Sequence, residues 1–335
     1  MQEKNNHSAG LKILGTGIYK PKRKVSSAQI SQNLGLPENW VERKIGIKER
    51  LFIQDETASF MGAEALKSAL KNANLQPENL DLLICANGTF EQPIPCTAVL
   101  IHGQFAGLKG KPAFDINSTC LSFLAALDLC ASAIANKKFK TIAIVSSEIA
   151  SVGLNPKEKE SYCLMGDGAA AVIISACPEH KGLINSKMQT YSEGSNLAQI
   201  EGGGTKLPAT NFNLNNQEKF LFSMQGPQIF KLALKYLPNF VEELLQEASI
   251  FNINDLDLII PHQASPAALE LIRQKLKIEK NKFFLIIQEY GNQIAASIPF
   301  ALHLAIESGR IKRDNNIMLL GTSAGFSIGG IILKY

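Results

Sequence analysis

The chain has 335 residues and a formal net charge of +4, with 45% hydrophobic and 19% charged residues. It is long enough for two domains of ordinary size, or for one body built of two halves, and either would bury a substantial core. The small charge, with no long basic stripe, argues against a nucleic acid partner. No uninterrupted apolar run is long enough to span a bilayer, so no membrane association is expected.

The start of the chain and its cysteines indicate the compartment. Residues 1–10 are polar and lack the apolar core of a signal peptide. The six cysteines form no CxxC pair and no dense disulfide framework, which suits a reducing environment. The sequence therefore predicts a cytoplasmic globular protein.

Apolar runs and helical periodicity alternate along the first half of the chain. Residues 57–73 have the spacing of an amphipathic helix, with Thr57 or Ser59 as its cap. The GDG sequence at 166–168 lacks the lysine and the strand-to-helix setting of a phosphate loop, so it is interpreted as a turn. Strands are predicted over 11–18, 80–85, 113–116, 140–148 and 166–174, with a further helical segment over 96–105.

The second half of the chain repeats the order of the first. Its elements are a helix over 226–248, strands over 256–260 and 283–287, a helix over 295–308, and closing strands over 315–321 and 327–333. Two units of one order indicate an internal duplication, with an N-terminal half over 1–176 and a C-terminal half over 177–335. Apolar strands that alternate with amphipathic helices predict a layered α/β fold with helices on both faces of each sheet.

Cys120 follows the predicted strand over 113–116 and a cluster of small polar residues, and it precedes a segment that is apolar on nearly every side. This pattern predicts a strand, a tight turn and a buried helix with Cys120 in its first turn. There the helix dipole and free N–H groups favour the thiolate, which attacks carbonyl carbon. A free cysteine at this place is also commonly a small core hydrophobe, so Cys120 alone has two interpretations.

Two polar residues of the second half occupy comparable positions. His262 lies at the carboxyl end of the predicted strand over 256–260, and Asn292 follows the next one after Gly291. A histidine there also serves as a packing residue, and asparagine after glycine is a common turn residue. Ligands in α/β sheets gather beyond the carboxyl ends of strands, so Cys120, His262 and Asn292 are expected to meet in one site. No pair of Cys or His residues has metal-ligand spacing, so no metal is expected.

Five motifs, in this order, resemble the β-ketoacyl-acyl carrier protein synthase III enzymes of the thiolase superfamily. They extend the likeness over nearly the whole chain, from Ile13 to Tyr335. The resemblance implies a five-layered αβαβα thiolase-like fold, an obligate homodimer, acyl-CoA as a substrate and no cofactor. The motifs are DINSTCLSF around Cys120, GDGAAAVI, PHQAS at His262, YGNQIAASIP at Asn292 and the closing GTSAGFSIGG.

The resemblance also implies roles for the site residues in a decarboxylative Claisen condensation. Cys120 would take an acyl group from a thioester, and its backbone N–H with that of Ala324 would form the oxyanion hole. His262 and Asn292 would donate hydrogen bonds to the thioester oxygen of a malonyl-type donor. Those bonds would stabilise the enolate that forms as carbon dioxide leaves.

Four further positions bear on substrates and partners. Trp40, which composition alone would place in the core, falls where the family stacks the adenine of coenzyme A, and Lys159 replaces the arginine on its other side. Ala267 replaces an arginine with which fatty-acid-initiating members dock the acyl carrier protein. Ile94 replaces an aromatic residue of the acyl pocket near the dimer interface. These differences favour a specialised enzyme with a medium or branched primer over housekeeping fatty-acid initiation.

Other classes of function fit the residues less well. Acyl transfer from a thioester to an alcohol or amine, or condensation without decarboxylation, could occur on the same fold, but transfer makes no enolate for Asn292 to stabilise. A cysteine protease is disfavoured because Cys120 lacks a CGSCW-like context. A binding protein would have no reason to hold a thiol, an imidazole and an amide at three strand ends.

Overall fold

The structure is a computed structural model that describes residues 10–177 and 182–335. The polar start of the chain, residues 1–9, and residues 178–181 lie outside this description. The strands are β1 Leu11–Tyr19, β2 Arg23–Ser26, β3 Glu49–Phe52, β4 Leu82–Ala86, β5 Ala113–Ile116, β6 Thr141–Glu148, β7 Gly168–Ala176, β8 Leu183–Thr190, β9 Ala198–Gln199, β10 Ser223–Met224, β11 Leu258–Pro261, β12 Asn316–Ser323 and β13 Ser327–Lys334. The helices are α1 Ser27–Asn33, α2 Trp40–Ile45, α3 Ala58–Ala73, α4 Thr97–His102, α5 Ser122–Ala135, α6 Lys159–Leu164, α7 Gly226–Glu247, α8 Pro266–Lys275, α9 Ile287–Tyr290 and α10 Ser297–Glu307.

Two large sheets organise these elements. The first has the order β1-β7-β6-β4-β5, and the second has the order β11-β12-β13-β8. Each sheet has parallel pairs at one end, β6 with β4 and β4 with β5 in the first and β11 with β12 in the second, while the remaining neighbours are antiparallel. All residues of β4 and β6 are buried, which explains why β4 and the middle of β6 are apolar on both faces.

Helices cover both faces of each sheet and produce five layers. The helices α5 and α10 lie between the sheets, where α5 contacts β6 and β13 and α10 contacts β7 and β11. The outer face of the first sheet packs on α3 and α4, and that of the second packs on α7, which also contacts α8. The order is therefore helix, sheet, helix, sheet, helix, and the predicted five-layered αβαβα thiolase-like fold is confirmed.

The internal duplication is visible in matching hydrogen bonds. Asp81, just before β4, accepts a hydrogen bond from the Thr141 N–H at 2.9 Å, and Asp257, just before β11, accepts one from the Asn316 N–H at 2.8 Å. Each aspartate thus ties the start of one parallel strand to its neighbour. The strands of the first sheet lie between residues 11 and 176 and those of the second between 183 and 334. That each half is a separate domain, with a boundary after residue 176, stays a prediction.

The strand predicted over 283–287 is wrong, although most other elements lie within a few residues of their predicted places. Only Phe283 forms a bridge, with Ile259 of β11, and α9 begins at Ile287. The side chain of Gln263 explains the difference, because its Oε1 accepts hydrogen bonds from the N–H groups of Ile286 and Ile287 at 2.9 and 3.1 Å. The Gln263 side chain, and not a neighbouring strand, is thus the hydrogen-bond partner of the backbone at residues 286–287.

Within the described residues, no helix is both long and apolar enough to cross a bilayer.

The contact between α3 and β1 predicts the effect of a glycine substitution. A Cβ atom on Gly17 would lie 2.3 Å from the backbone N of Ala69 and 2.5 Å from the carbonyl oxygen of Ala65. We expect Gly17→Ala to lower the free energy of unfolding by about 1–3 kcal/mol, because strand and helix must separate to admit the methyl group. Urea denaturation of this variant and of the wild type would measure the loss.

Gly204→Ala is the matched control. No atom lies within 4 Å of a Cβ placed on Gly204, so this substitution should leave the urea midpoint unchanged. Equal midpoints for Gly17→Ala and the wild type would contradict the close packing of α3 on β1.

Candidate active site

Cys120 lies in a 3₁₀ turn, Thr119–Leu121, that connects β5 to α5. The predicted position in the first turn of the helix is therefore wrong by half a turn, since α5 begins at Ser122. The polar residues before the cysteine shape this turn. The Asn117 Oδ1 accepts a hydrogen bond from the Thr119 N–H at 2.8 Å, and the Ser122 Oγ accepts one from the Ser118 N–H, also at 2.8 Å.

The Cys120 thiol is half-buried and surrounded by opposing electrostatic effects. The backbone N–H groups of Cys120 itself and of Ala324 point at the sulfur and favour the thiolate. Burial acts more strongly and, with the negative charge of Glu148, raises the pKa of the Cys120 thiol to about 12. The predicted effect of the N–H groups is therefore present but is outweighed by burial, and Cys120 is a thiol at neutral pH in the free protein.

His262 follows β11 and is held by the backbone of the neighbouring strand. Its backbone N–H donates a hydrogen bond to the Leu320 carbonyl oxygen at 2.7 Å, and only 4% of the residue is exposed. Burial lowers the pKa of His262 to about 4, so the ring is neutral at pH 7 and carries one N–H donor. The Nδ1 atom is buried and has no hydrogen-bond partner among the described residues.

A glycine of β12 brings His262 close to the cysteine turn. A Cβ atom on Gly321 would lie 2.9 Å from the His262 Cβ and 3.1 Å from the Leu121 Cδ2. Since Leu121 directly follows Cys120, His262 and the cysteine turn are neighbours across the bare face of this glycine. Gly321 opens the closing GTSAGFSIGG motif, which thereby acquires a packing role that sequence reasoning missed.

Asn292 follows α9 and has a fixed amide orientation. Its Oδ1 accepts a hydrogen bond from the Ile294 N–H at 2.9 Å, so the NH₂ group remains available to donate. The backbone of Asn292 pairs with the chain before β7, since its N–H donates to Leu164 at 2.7 Å and its carbonyl accepts from Gly166 at 3.0 Å. The turn therefore fixes the Asn292 amide with its oxygen engaged and its NH₂ group available to donate.

The turn after Asn292 repeats the turn before Cys120. Ile294 has φ = 50° and Thr119 has φ = 49°, and the backbone N–H of each donates a hydrogen bond to the Oδ1 of an asparagine two residues earlier. By this match Asn292 corresponds to Asn117, and the counterpart of Cys120 is Ala295. The prediction that Asn292 corresponds to the Cys120 region is confirmed and refined to single residues.

The two turns contact each other through Gly88, which lies after β4. A Cβ atom on Gly88 would be 2.6 Å from the Ile294 Cγ2 and 3.3 Å from the Thr119 Cα. The structure thus brings the turns of Cys120 and Asn292 together, and it places His262 beside the first of them. The expected meeting of these three residues at the carboxyl ends of strands agrees with this arrangement.

The GDG sequence forms a support for the asparagine turn. Cβ atoms on Gly166 and Gly168 would lie 2.1 Å from the Tyr290 carbonyl oxygen and 2.2 Å from the Gln293 Nε2. The Asp167 carboxylate between them accepts hydrogen bonds from the N–H groups of Ile53 and Ser151 at 2.9 and 2.8 Å. The interpretation of GDG as a turn gave no indication of these close contacts.

The remaining predicted site residues lie outside this centre. Trp40 and Lys159 are the first residues of α2 and α6, which contact each other; Trp40 is half-buried and Lys159 is exposed. Ala267 is exposed on α8. Ile94 is 85% exposed in the loop between β4 and α4, so it does not line a pocket of its own chain. The described residues contain no cluster of three His, Cys, Asp or Glu side chains able to hold a metal ion.

The fold and its paired turns define a thiolase-like protein. Residues 114–192 match the family described as 3-oxoacyl-[acyl-carrier-protein] synthase III, and residues 246–335 match that of its C-terminal part. The β-ketoacyl-[acyl-carrier-protein] synthase III of Aquifex aeolicus is 35% identical over 97% of this chain and 100% of its own length. That of Clostridium perfringens strain SM101 is 34% identical over 96% and 98%.

A solved structure gives the same result. The crystal structure of the Aquifex aeolicus 3-oxoacyl-[acyl-carrier-protein] synthase III superposes with a TM-score of 0.89 at 33% identity, covering 97% of this chain and all of that one. The chain belongs to the β-ketoacyl-[acyl-carrier-protein] synthase III family, and it is an enzyme.

The raised pKa of Cys120 predicts how its alkylation depends on pH. Below a pKa of about 12 the thiolate fraction rises tenfold per pH unit, so the rate of reaction with iodoacetamide should rise about tenfold per unit between pH 7 and pH 10 without a plateau. Mass spectrometry of the Cys120 peptide would measure the rate.

The denatured protein is the control for this measurement. In denaturant the rate should stop rising once the pH exceeds the ordinary cysteine pKa of about 8.5, because the thiol is then fully ionised. A plateau below pH 9 in the native protein would contradict the dominance of burial at Cys120.

Proposed function

We propose that the protein catalyses the decarboxylative Claisen condensation of an acyl-CoA primer with a malonyl thioester, giving a 3-oxoacyl thioester. The observation that carries this proposal is the hydrogen bond from the Ile294 N–H to the Asn292 Oδ1. It occupies the Oδ1 atom, so the NH₂ group remains to donate, and the turn that carries it packs against the Cys120 turn. Condensation needs such a donor for an enolate, whereas simple acyl transfer does not.

In the first half-reaction the Cys120 sulfur attacks the carbonyl carbon of the acyl thioester, the bond from that carbon to the coenzyme A sulfur breaks, and coenzyme A leaves as its thiol with the proton that Cys120 gives up. The oxygen becomes negatively charged in the tetrahedral intermediate. The N–H groups of Cys120 and Ala324, which point at the sulfur, would bind this oxygen. They belong to separate elements, the 3₁₀ turn and the loop after β12, so the hole depends on both halves of the fold.

In the second half-reaction the malonyl thioester loses carbon dioxide, and the electrons of the broken C–C bond form an enolate. The Asn292 amide and the neutral ring of His262 donate hydrogen bonds to its oxygen. Burial holds the pKa of His262 near 4, so the ring acts as a neutral donor. The enolate carbon attacks the acyl-Cys120 carbonyl, and the Cys120 thiolate is released.

The substrates follow from the family and from the surface around the site. Trp40 and Lys159, on two helices in contact, would bind the adenine end of coenzyme A. The relatives are named for the acyl carrier protein, and we propose a carrier-bound malonyl group here too, although Ala267 lacks the charge that an acidic partner favours. The chemistry proposed requires no cofactor, and we propose that the enzyme acts in the cytoplasm.

A homodimer is proposed from an apolar surface at the edge of the first sheet. The end strand β5 exposes 45% of Phe114, and the neighbouring α4 exposes 44% of Val99. An open strand edge flanked by exposed apolar side chains favours a protein partner, here a second copy. Ile94 from one copy would then reach the acyl pocket of the other, which gives this exposed residue a function.

The two donors predict a separation between the half-reactions. We expect His262→Ala and Asn292→Ala to slow release of carbon dioxide from labelled malonyl-CoA by about 10²–10³-fold, because one lost oxyanion donor costs about 3–4 kcal/mol. Acylation of Cys120 by an acyl-CoA, followed by intact-protein mass spectrometry, should remain largely intact.

Asn136→Ala is a suitable control, since Asn136 is an exposed residue at the end of α5 whose side chain bonds only locally to Ser132. It should leave both half-reactions unchanged. Normal decarboxylation in Asn292→Ala would show that its role is misassigned, and no acyl mass on Cys120 in the wild type would overturn the enzyme mechanism.

The small side chain at Ile94 predicts the primer. A panel of acyl-CoA primers from about two to ten carbons, scored by the rate of Cys120 acylation, should show a maximum at a medium or branched chain. Ile94→Phe should move the maximum to shorter primers, with about 1–3 kcal/mol of discrimination per methylene. Leu214→Phe, at an 80% exposed position of the long connection before α7, is the control. A maximum at acetyl that Ile94→Phe leaves unchanged would contradict the enlarged pocket.

A further inference from the structure

Glu148 is a buried carboxylate that the mechanism above does not use. It is the last residue of β6, and none of its surface is exposed. Its Oε1 accepts a hydrogen bond from the Gly88 N–H. Its Oε2 accepts one from the Thr89 N–H at 3.1 Å and another from the Thr89 hydroxyl. The backbone N–H of Ala295 also donates to the carboxylate.

These donors come from the segments that hold the two turns together. Gly88 is the residue between Thr119 and Ile294, where the cysteine and asparagine turns meet. Ala295 belongs to the 3₁₀ turn that directly follows Asn292 and Gln293. One carboxylate therefore connects the loop after β4 with the asparagine turn, and through Gly88 it braces the cysteine turn.

Glu148 also contributes charge to the centre. It acts on the Cys120 thiol as a nearby negative charge and so raises the pKa of that thiol. Burial raises the pKa of Glu148 itself to about 7, against the lowering effect of its donors from Gly88, Thr89 and Ala295. The carboxylate is therefore increasingly ionised above pH 7, in the range where cysteine alkylation is measured.

We propose that Glu148 is a positioning residue of the condensation reaction, whose hydrogen bonds hold the turns of Cys120 and Asn292 in register and whose negative charge acts on the thiol through the loop that connects them. The first part rests on the proposed function. The second part concerns the thiol alone and is independent of the reaction catalysed.

Two substitutions separate the effect of the Glu148 side-chain length from the effect of its charge. Glu148→Asp keeps the charge but shortens the side chain, so it should lower malonyl decarboxylation by about 10–100-fold, as expected for a small misplacement of catalytic groups, while Cys120 is alkylated at close to the wild-type rate. Glu148→Gln keeps the length but removes the charge and one set of acceptor sites. It should also lower decarboxylation, but alkylation of Cys120 at pH 8 should become about three- to tenfold faster.

The comparison of the two variants distinguishes this proposal from a purely structural role, in which both would change alkylation alike. Alkylation in Glu148→Gln no faster than in the wild type would overturn the effect of charge. Undiminished decarboxylation in Glu148→Asp would overturn the positioning role. Glu56→Gln is the matched control, because Glu56 is also buried and holds a loop by accepting from Gln54 and Lys22, at 2.7 and 3.0 Å, but does not act on Cys120.

A milder variant covers the case in which both Glu148 variants unfold, as judged by circular dichroism. Thr89→Val removes only the hydroxyl that donates to Glu148, and it should lower decarboxylation severalfold; an unchanged rate would overturn the positioning role. If the wild type releases no carbon dioxide, the proposed function fails, whereas the alkylation rates still decide the effect of charge.

Discussion

The site depends on one contact, that between the cysteine turn and the asparagine turn at Gly88. Both turns contain a residue in the left-handed backbone region, and for Ile294, with its branched side chain, this conformation is strained. Three interactions hold Ile294 in this conformation. They are the hydrogen bond from its N–H to the Asn292 Oδ1, the hydrogen bond from the Gln293 N–H to the Ser297 Oγ, and the contact with Gly88. The bond that fixes the strained residue is the same one that orients the Asn292 amide.

Burial sets the electrostatics of this centre. It raises the pKa of Cys120 and lowers that of His262, so the free site holds a neutral thiol and a neutral imidazole and no ion pair. Negative charge arises only as the reaction proceeds, first on the acyl oxygen and then on the enolate. Donors fixed in advance in a site with little water stabilise such charges strongly, because they need no rearrangement when the charge appears.

The sequence predicted the alternation of strands and helices, the duplication and the residues at the carboxyl ends of strands, because these features are local and periodic. The sequence-based prediction was wrong where a side chain distant in sequence determines the local structure or the pKa. The apolar run over 283–287 has strand character, but Gln263 takes its backbone donors. The Cys120 pKa depends on burial and on two groups distant in sequence, Glu148 and Ala324. The glycines of the GDG turn face Tyr290 and Gln293, more than a hundred residues away.

The duplication also explains why the two halves make one site. The N–H group of Cys120 faces its own sulfur and is proposed to bind substrate oxygen, whereas the matching N–H group of Ala295 already donates to Glu148. The second turn has no thiol, and its Ala295 N–H is already engaged, so it cannot hold an acyl group in the way proposed for the first turn. It has kept the asparagine, buried at Asn292 and exposed at Asn117, and burial gives this amide the dry setting that an enolate donor needs. The first of the two matching turns thus carries the thiol, and the second carries the buried amide that we propose as its donor partner.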